Sequence, residues 1–453
     1  MKKITFLTCL SIVLGIQIVP GQSILNEYIE IGITNNQQYI KEKINTQISM
    51  EDSRQSKSLF LPDISFNASY LLADGGRTID FPLGDLFNPA YTALNQLTGT
   101  NQFPTDIQNV NEQFLPNDFH ETKIRVLQPI LNTDIFYGYK ASRANISVSQ
   151  AKQDNYENQL VFQITKAYFN HLQLLEQKAI LDSTRILIKE LVRVNRKFIK
   201  YDVATKEVLY NAKAQLDQVD AQIATVNKNM NTSRIFFNFL LNRDLNETII
   251  GMNSNELSPL PNNKSLPVAQ EEAIANRSEI KQLNASIEAQ DYLIKKEKGY
   301  IVPDISVGAE AGYQGFGYTF EDNQDYYLVS FNLVWPIFQG GRNRSEVRKA
   351  QLQKDRLSTD YNNVINQIKL EVATAHYELE EALQIYRART SELKNVTENF
   401  KIIQAKYRVN QVLLVQFNEA RTNLTTAGLG ASIAKYNVTI AKANLHKTIQ
   451  TTR

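Results

Sequence analysis

Residues 63–70 alternate without a break, with Ile64, Phe66, Ala68 and Tyr70 on one side and Asp63, Ser65, Asn67 and Ser69 on the other. Residues 304–313 do the same: Ile305, Val307, Ala309, Ala311 and Tyr313 against Asp304, Ser306, Gly308, Glu310 and Gly312. A period of two is that of a strand with one apolar and one polar face. Ile124 and Val126 continue the theme, as do Tyr327, Val329, Phe331, Leu333 and Trp335. Four strands are expected, at about 62–71, 119–128, 303–314 and 326–335, each bounded by a proline: Pro62, Pro129, Pro303 and Pro336. Between them the period changes. Residues 139–200 and 342–427 contain neither Pro nor Gly, and Leu160, Ile164, Ala167 and Tyr168, or Ile365, Ile368, Val372 and Ala375, fall at helical spacing. A helix of ~60 residues runs ~90 Å, longer than a compact domain needs and typical of coiled coils or helical repeats. Breaks at about 201–206 and 407–412 turn each into a helical hairpin.

The pattern occurs twice. Leu61-Pro62-Asp63-Ile64-Ser65-Phe66 corresponds to Val302-Pro303-Asp304-Ile305-Ser306-Val307, and Ile33-Thr34-Asn35-Asn36 to Ile274-Ala275-Asn276-Arg277 at the same offset of about 240. Val126 to Leu131 corresponds to Leu333 to Phe338 at an offset of about 207, so the first copy carries about 34 extra residues between its prolines. At that second offset Ile164 to Tyr168 matches Val372 to His376, and Lys200-Tyr201-Asp202-Val203 matches Lys406-Tyr407-Arg408-Val409. The expected organisation is a first repeat over 22–250, a Pro- and Asn-rich linker over 251–267, and a second repeat over 268–453. The stretch 72–118 is expected as a long loop set into the first strand hairpin, with Phe81, Phe87 and Tyr91 packing on something.

Composition narrows the class. The chain has 453 residues, 43% hydrophobic and 21% charged, with net charge +2. That balance fits a folded protein and argues against nucleic acid as a partner. Residues 1–21 read as a signal peptide: Lys2 and Lys3, the apolar run Ile4 to Val19, then Pro20-Gly21. The single cysteine, Cys9, lies in that run and fits a lipobox poorly. No later segment approaches the ~20 apolar residues of a transmembrane helix. His120, His171, His376 and His446 are scattered and make no metal spacing. Gly312 to Gly317 superficially matches a dinucleotide loop, but a strand follows it rather than a helix. No enzyme and no cofactor is expected.

The strands are the length of an outer-membrane span, with the alternation of a lipid-facing outside and a watery inside. Four strands cannot close a barrel, and lipid does not tolerate open sheet edges. Either other chains complete the sheet, three chains giving 12 strands, or the sheet lies outside the membrane, as a soluble sandwich or under helices.

Over nearly its whole length past the signal segment the chain resembles the TolC-type outer-membrane efflux proteins. The most specific stretch is Trp335-Pro336-Ile337-Phe338-Gln339-Gly340-Gly341-Arg342, which looks like that family's turn from second strand into long helix; Gln128-Pro129-Ile130-Leu131 is its degenerate twin. The resemblance implies a mainly α fold with a membrane β-barrel part: tandem helix–strand–strand–helix repeats, a homotrimer with a 12-stranded barrel, and a periplasmic helical tunnel. It implies contact with outer-membrane lipid, a Gram-negative outer-membrane location, and docking to a periplasmic adaptor protein and an inner-membrane pump. Function would be the exit duct of a tripartite efflux or type I secretion system.

In that family the hairpin tips meet the adaptor. Here Tyr407-Arg408-Val409-Asn410 matches the family motif apart from its glycine, and Tyr201, Val203 and Ala204 match more loosely. A left-handed turn residue is expected there, which Asn410 would accommodate better than Ala204. Glu392 and Glu398, on the helix leading to the second tip, are candidates for a periplasmic gate, because threefold symmetry would gather them into rings that favour cations. The competing reading is a solvated helix face. The rival for the whole chain is a periplasmic or surface coiled-coil protein with no pore.

Overall fold

The computed structural model describes residues 20–252, 264–409 and 411–450. Most of the expected signal segment, with Cys9, lies outside them, as do Asn410 and most of the linker. In chain order the elements are α1 (Pro20–Asn35), α2 (Gln37–Ser58), β1 (Asp63–Leu71), β2 (Thr78–Phe81), α3 (Leu83–Thr98), β3 (Val110–Gln113), β4 (Phe119–Leu131), α4 (Thr133–Lys200), α5 (Lys206–Leu240), α6 (Leu266–Asn276), α7 (Ser278–Glu297), β5 (Asp304–Phe316), β6 (Asp325–Val334), α8 (Arg342–Arg408) and α9 (Leu414–Ile449). The fold is mainly helical with a small antiparallel sheet. The chain divides into two compact units, one of Met1–Met50, Ala144–Glu288 and Lys354–Arg453, the other of Glu51–Arg143 and Ala289–Gln353.

The first unit is helical. Its packing explains the long runs without Pro or Gly: each helix buries a stripe at 3- and 4-residue spacing against its neighbours. Leu160, Ile164, Tyr168, Phe237 and Leu241 form one core with Tyr28 and Ile29. Ile368, Val372, Ala375 and Leu379 form a second with Ala273, Val438 and Leu445. The two cores are copies. Ile164 and Val372, matched by the repeat, are both fully buried. The chemically unlike partners Asn36 and Arg277 are also buried, each at the junction of two helices. Asn36 donates from Nδ2 to the Leu240 carbonyl at 3.0 Å, and Arg277 donates to the Thr448 carbonyl at 3.2 Å. Both acceptors lie at the C-terminus of the last helix of their repeat, where carbonyls lack helical partners. An amide suffices at one junction. At the other a guanidinium also takes Glu279 at 2.6 Å and Glu371 at 2.8 Å, which compensates its burial.

The second unit is built on a four-stranded antiparallel sheet in the order β1-β4-β5-β6. The central β4–β5 pair joins the two repeats, and β1 and β6 are edges. Three differences from the sequence expectation have physical causes. First, β4 runs through Pro129 to Leu131, and the register with β5 shifts between Pro129 and Leu131; a bulge lets a proline without an N–H sit inside a ladder. Second, 72–118 is more than a loop. It holds α3 and a two-stranded ribbon, with β2 pairing β3 from Thr78↔Gln113 to Phe81↔Val110. Third, α6 begins at Leu266, inside the stretch expected as linker, with Pro267 in its first turn where the missing N–H costs nothing.

Candidate functional site

The cross-strand register assigns every strand residue to a face, because paired residues share one. On one face Ile64, Val126, Ala309 and Val329 form a row, followed by Phe66, Ile124, Ala311 and Tyr327. Val307 and Phe331 add another pair. This face is apolar and bare: Phe66 is 70%, Tyr327 85% and Phe331 80% exposed. At the end where β1 stops and β4 starts it closes in aromatic rings. Tyr70 meets Tyr318 edge-on at 5.6 Å, and Phe320 stands 5.4 Å from Tyr313 and 5.4 Å from His120. An apolar band rimmed by aromatic rings is the pattern expected on the outside of a membrane barrel.

The opposite face carries Ser65, Asn67, Ser330 and Asn332 and a charged cluster across the repeat seam. Lys123 bridges Glu121 at 2.9 Å and Glu310 at 2.9 Å, Arg125 lies 3.3 Å from Glu310, and the Tyr326 hydroxyl donates to Glu121 at 3.2 Å. Gly312 leaves the space through which this crossing runs, since a Cβ there would collide with the backbone of Thr122 and Lys123. Charges with no place in lipid therefore sit on one face, which also carries Leu127, Leu328 and Val334, and none lies in the apolar rows of the other. No sequence signal singled out this cluster, because its members are two residues apart on one strand and on the neighbouring strand.

The strand-to-helix turns differ between repeats. After Pro336, Gly340 and Gly341 take φ of 60° and 85°, and the Arg342 N–H closes on the Gln339 carbonyl at 3.1 Å before α8 starts. After Pro129 the turn uses no glycine. Asn132 caps α4, its Oδ1 accepting from the Ile135 N–H at 2.9 Å.

At the helical hairpins the structure separates the residues that the repeat pairs. Tyr201 is 70% exposed, whereas Tyr407 is 6% exposed. Tyr407 stacks on Phe417 at 4.7 Å and donates its hydroxyl to Asn195 Oδ1 at 2.8 Å, while Asn195 Nδ2 donates to the Val208 carbonyl at 3.0 Å. Tyr407 thus ties the two tips together through a core with Leu191, Val192 and Phe400 and offers no surface to a partner. Burial pushes its phenol pKa up, so it stays protonated and remains a donor. Val203, Arg408 and Val409 are exposed and Ala204 is half-buried. The left-handed residue of the first tip is Asp202, at φ 57°, rather than Ala204. Leu413 and Val415, each 72% exposed, extend the apolar surface beyond the motif. On α8, Glu392 is paired with Arg389 at 2.7 Å and Glu398 with Lys401 at 2.7 Å, each three residues along the same helix.

Among the described residues no helix is long and apolar enough to cross a membrane, and no His, Cys, Asp and Glu cluster could hold a metal. Residues 269–449 match the family model of the outer membrane efflux proteins. The solved structures with the same fold include the CmeC outer membrane channel of Campylobacter jejuni, at 16% identity and a TM-score of 0.74 over 94% of this chain and 85% of that one. The open state of the MtrE outer membrane channel of Neisseria gonorrhoeae matches at 15% identity and a TM-score of 0.76, over 94% and 88%. The outer membrane protein VceC of Vibrio cholerae matches at 13% and 0.74, over 94% and 96%. No curated protein sequence matches significantly. The fold is that of the TolC-type outer-membrane channels. Residues 269–449, most of the second repeat, are accordingly an outer membrane efflux protein domain, and the chain shares the fold of solved outer-membrane channels.

Proposed function

We propose that three copies of this chain close a 12-stranded barrel whose helical bodies continue as a periplasmic conduit. The assembly is the exit duct of a tripartite efflux or type I secretion system, passing small molecules or proteins delivered by an inner-membrane pump. The observation that carries the reading is the sheet: two open edges, one bare apolar face with an aromatic rim, and one charged face. Each backbone group left unpaired in lipid costs several kcal/mol, so the outward groups of β1 and β6 would cost far more than a domain's whole stability. Pairing β1 of one copy with β6 of the next removes the cost. The exposed surface of Tyr201, Val203, Val409 and Leu413 supports adaptor docking at the tips, with Tyr407 holding them in place. The own-helix pairing of Glu392 and Glu398 supports a solvated helix face over a carboxylate ring.

The test is fractionation with gel migration before and after heating, followed by planar-bilayer recording of the unheated species. The expected result is an outer-membrane trimer that dissociates on heating and conducts. A soluble monomer in the periplasmic fraction would overturn the reading.

A further inference from the structure

The insertion between β1 and β4 contains a helix with its polar side turned inward. Along α3, Gly84, Asn88, Tyr91 and Asn95 face the chain's own following segment. Asn88 Nδ2 donates to the Ile107 carbonyl at 2.9 Å, and its Oδ1 accepts from the Ile107 N–H at 2.9 Å. Asn95 repeats the arrangement with Phe103, at 2.8 and 3.0 Å. These two amide clamps hold the helix by its polar stripe. The side left outward carries Leu83, Leu86, Ala90, Ala93 and Leu97, all exposed, with Leu86 at 64% and Leu97 at 84%.

That outward side has a period. Leu83, Leu86, Ala90, Ala93 and Leu97 are spaced 3, 4, 3 and 4, the a and d positions of a heptad, and the clamped residues fall on the b and f positions behind them. Such a seam matches another helix of the same kind. Its charge also fits a copy of itself: residues 86–105 contain no Asp, Glu, Lys or Arg, so identical surfaces meet without repulsion. A lipid-surface helix instead presents Lys and Arg on its polar side, and α3 has none. The insertion leaves β1 and returns to β4 at the end of the sheet opposite the α2 and α4 junctions.

We propose that α3 is an assembly contact between copies of this chain: the α3 helices of neighbouring protomers pack seam to seam across the outer mouth of the barrel. The inference rests on the trimeric reading above. It gives the extra residues of the first repeat a role that the second repeat, with its short Gly317-to-Gln324 turn, cannot share.

The test uses the full-length protein in outer membranes, with Cys9→Ser as background and a bis-maleimide cross-linker. Ala90→Cys and Leu86→Cys, on the seam, are expected to give a cross-linked dimer band from the assembled trimer. Thr92→Cys, exposed but off the seam, is expected to give none. Adding Leu97→Glu to Ala90→Cys is expected to abolish the band while heat-dissociable trimer persists. A normal trimer in which Ala90→Cys and Leu86→Cys do not cross-link, or in which Thr92→Cys cross-links equally, overturns the α3 contact alone. A chain that never trimerises overturns the barrel reading and the contact together.

Discussion

Tyr407 holds a position expected to belong to a docking motif, yet its environment is that of the core. Its ring lies among Phe198, Phe400 and Phe417, and its hydroxyl is satisfied by Asn195, itself fully buried. Removing only the hydroxyl leaves Asn195 short of one partner, while removing the ring leaves a cavity. Tyr407→Phe is therefore expected to lower the stability of the helical body by about 1 kcal/mol. Tyr407→Ala should cost about 3–5 kcal/mol. Limited proteolysis is the measurement: cleavage at the 201–205 and 409–413 tips should rise slightly for Phe and strongly for Ala. Equal protection of the Ala variant and the parent chain would show that Tyr407 is not what joins the hairpins. The repeat-related Tyr201 makes no such contact, and Tyr201→Ala should leave tip protection unchanged.

At the scale of elements, the turn into α8 depends on backbone freedom. Gly340 and Gly341 both lie in the left-handed region, and a Cβ at either would meet nothing within 4 Å. The cost of replacement is then conformational, about 1–2 kcal/mol for each residue forced to stay left-handed. Gly341→Val is expected to reduce the yield of heat-dissociable trimer more than Gly341→Asn, since Asn tolerates that region. Similar yields would mean that the turn can re-form another way. This turn was legible in the sequence because Pro, Gly and Gly each impose a distinct backbone constraint. The strands were legible for a similar reason, since residues 63–70 and 304–313 alternate over enough positions to exclude a helix. The bulge at Pro129 was not, because a proline can equally end a strand. The helix α3 was hidden by its inversion: Asn88, Pro89, Asn95 and Gly99 have the composition of a loop, and only the hydrogen bonds to Ile107 and Phe103 show that the asparagines are its inner face. Asp202 took the left-handed position because it is the residue at which the chain reverses, which spacing alone does not reveal.

For the whole molecule, the polar sheet face makes the proposed barrel measurable. Lys123 and Arg125 are balanced by Glu121 and Glu310, so this cluster is neutral within one chain. Glu310 holds both cations at once, at 2.9 Å and 3.3 Å. Glu310→Gln keeps the size of the side chain and removes one negative charge per chain, leaving the cluster at +1. Three chains around one lumen would then gather three such excess charges where ions pass. Rings of Lys and Arg favour anions, as rings of carboxylates favour cations. Under a salt gradient in a planar bilayer, the reversal potential of Glu310→Gln is expected to move toward anion selectivity relative to the parent channel. The shift should fade as salt is raised and the Debye length falls from ~10 Å at 0.1 M to ~3 Å at 1 M. Glu310→Asp, which retains the charge, should stay near the parent value. A conducting Glu310→Gln trimer with an unchanged reversal potential at low salt would mean that this face does not line the lumen. The apolar face would then have to be reassigned from lipid to protein, since the two faces of one sheet cannot exchange roles separately.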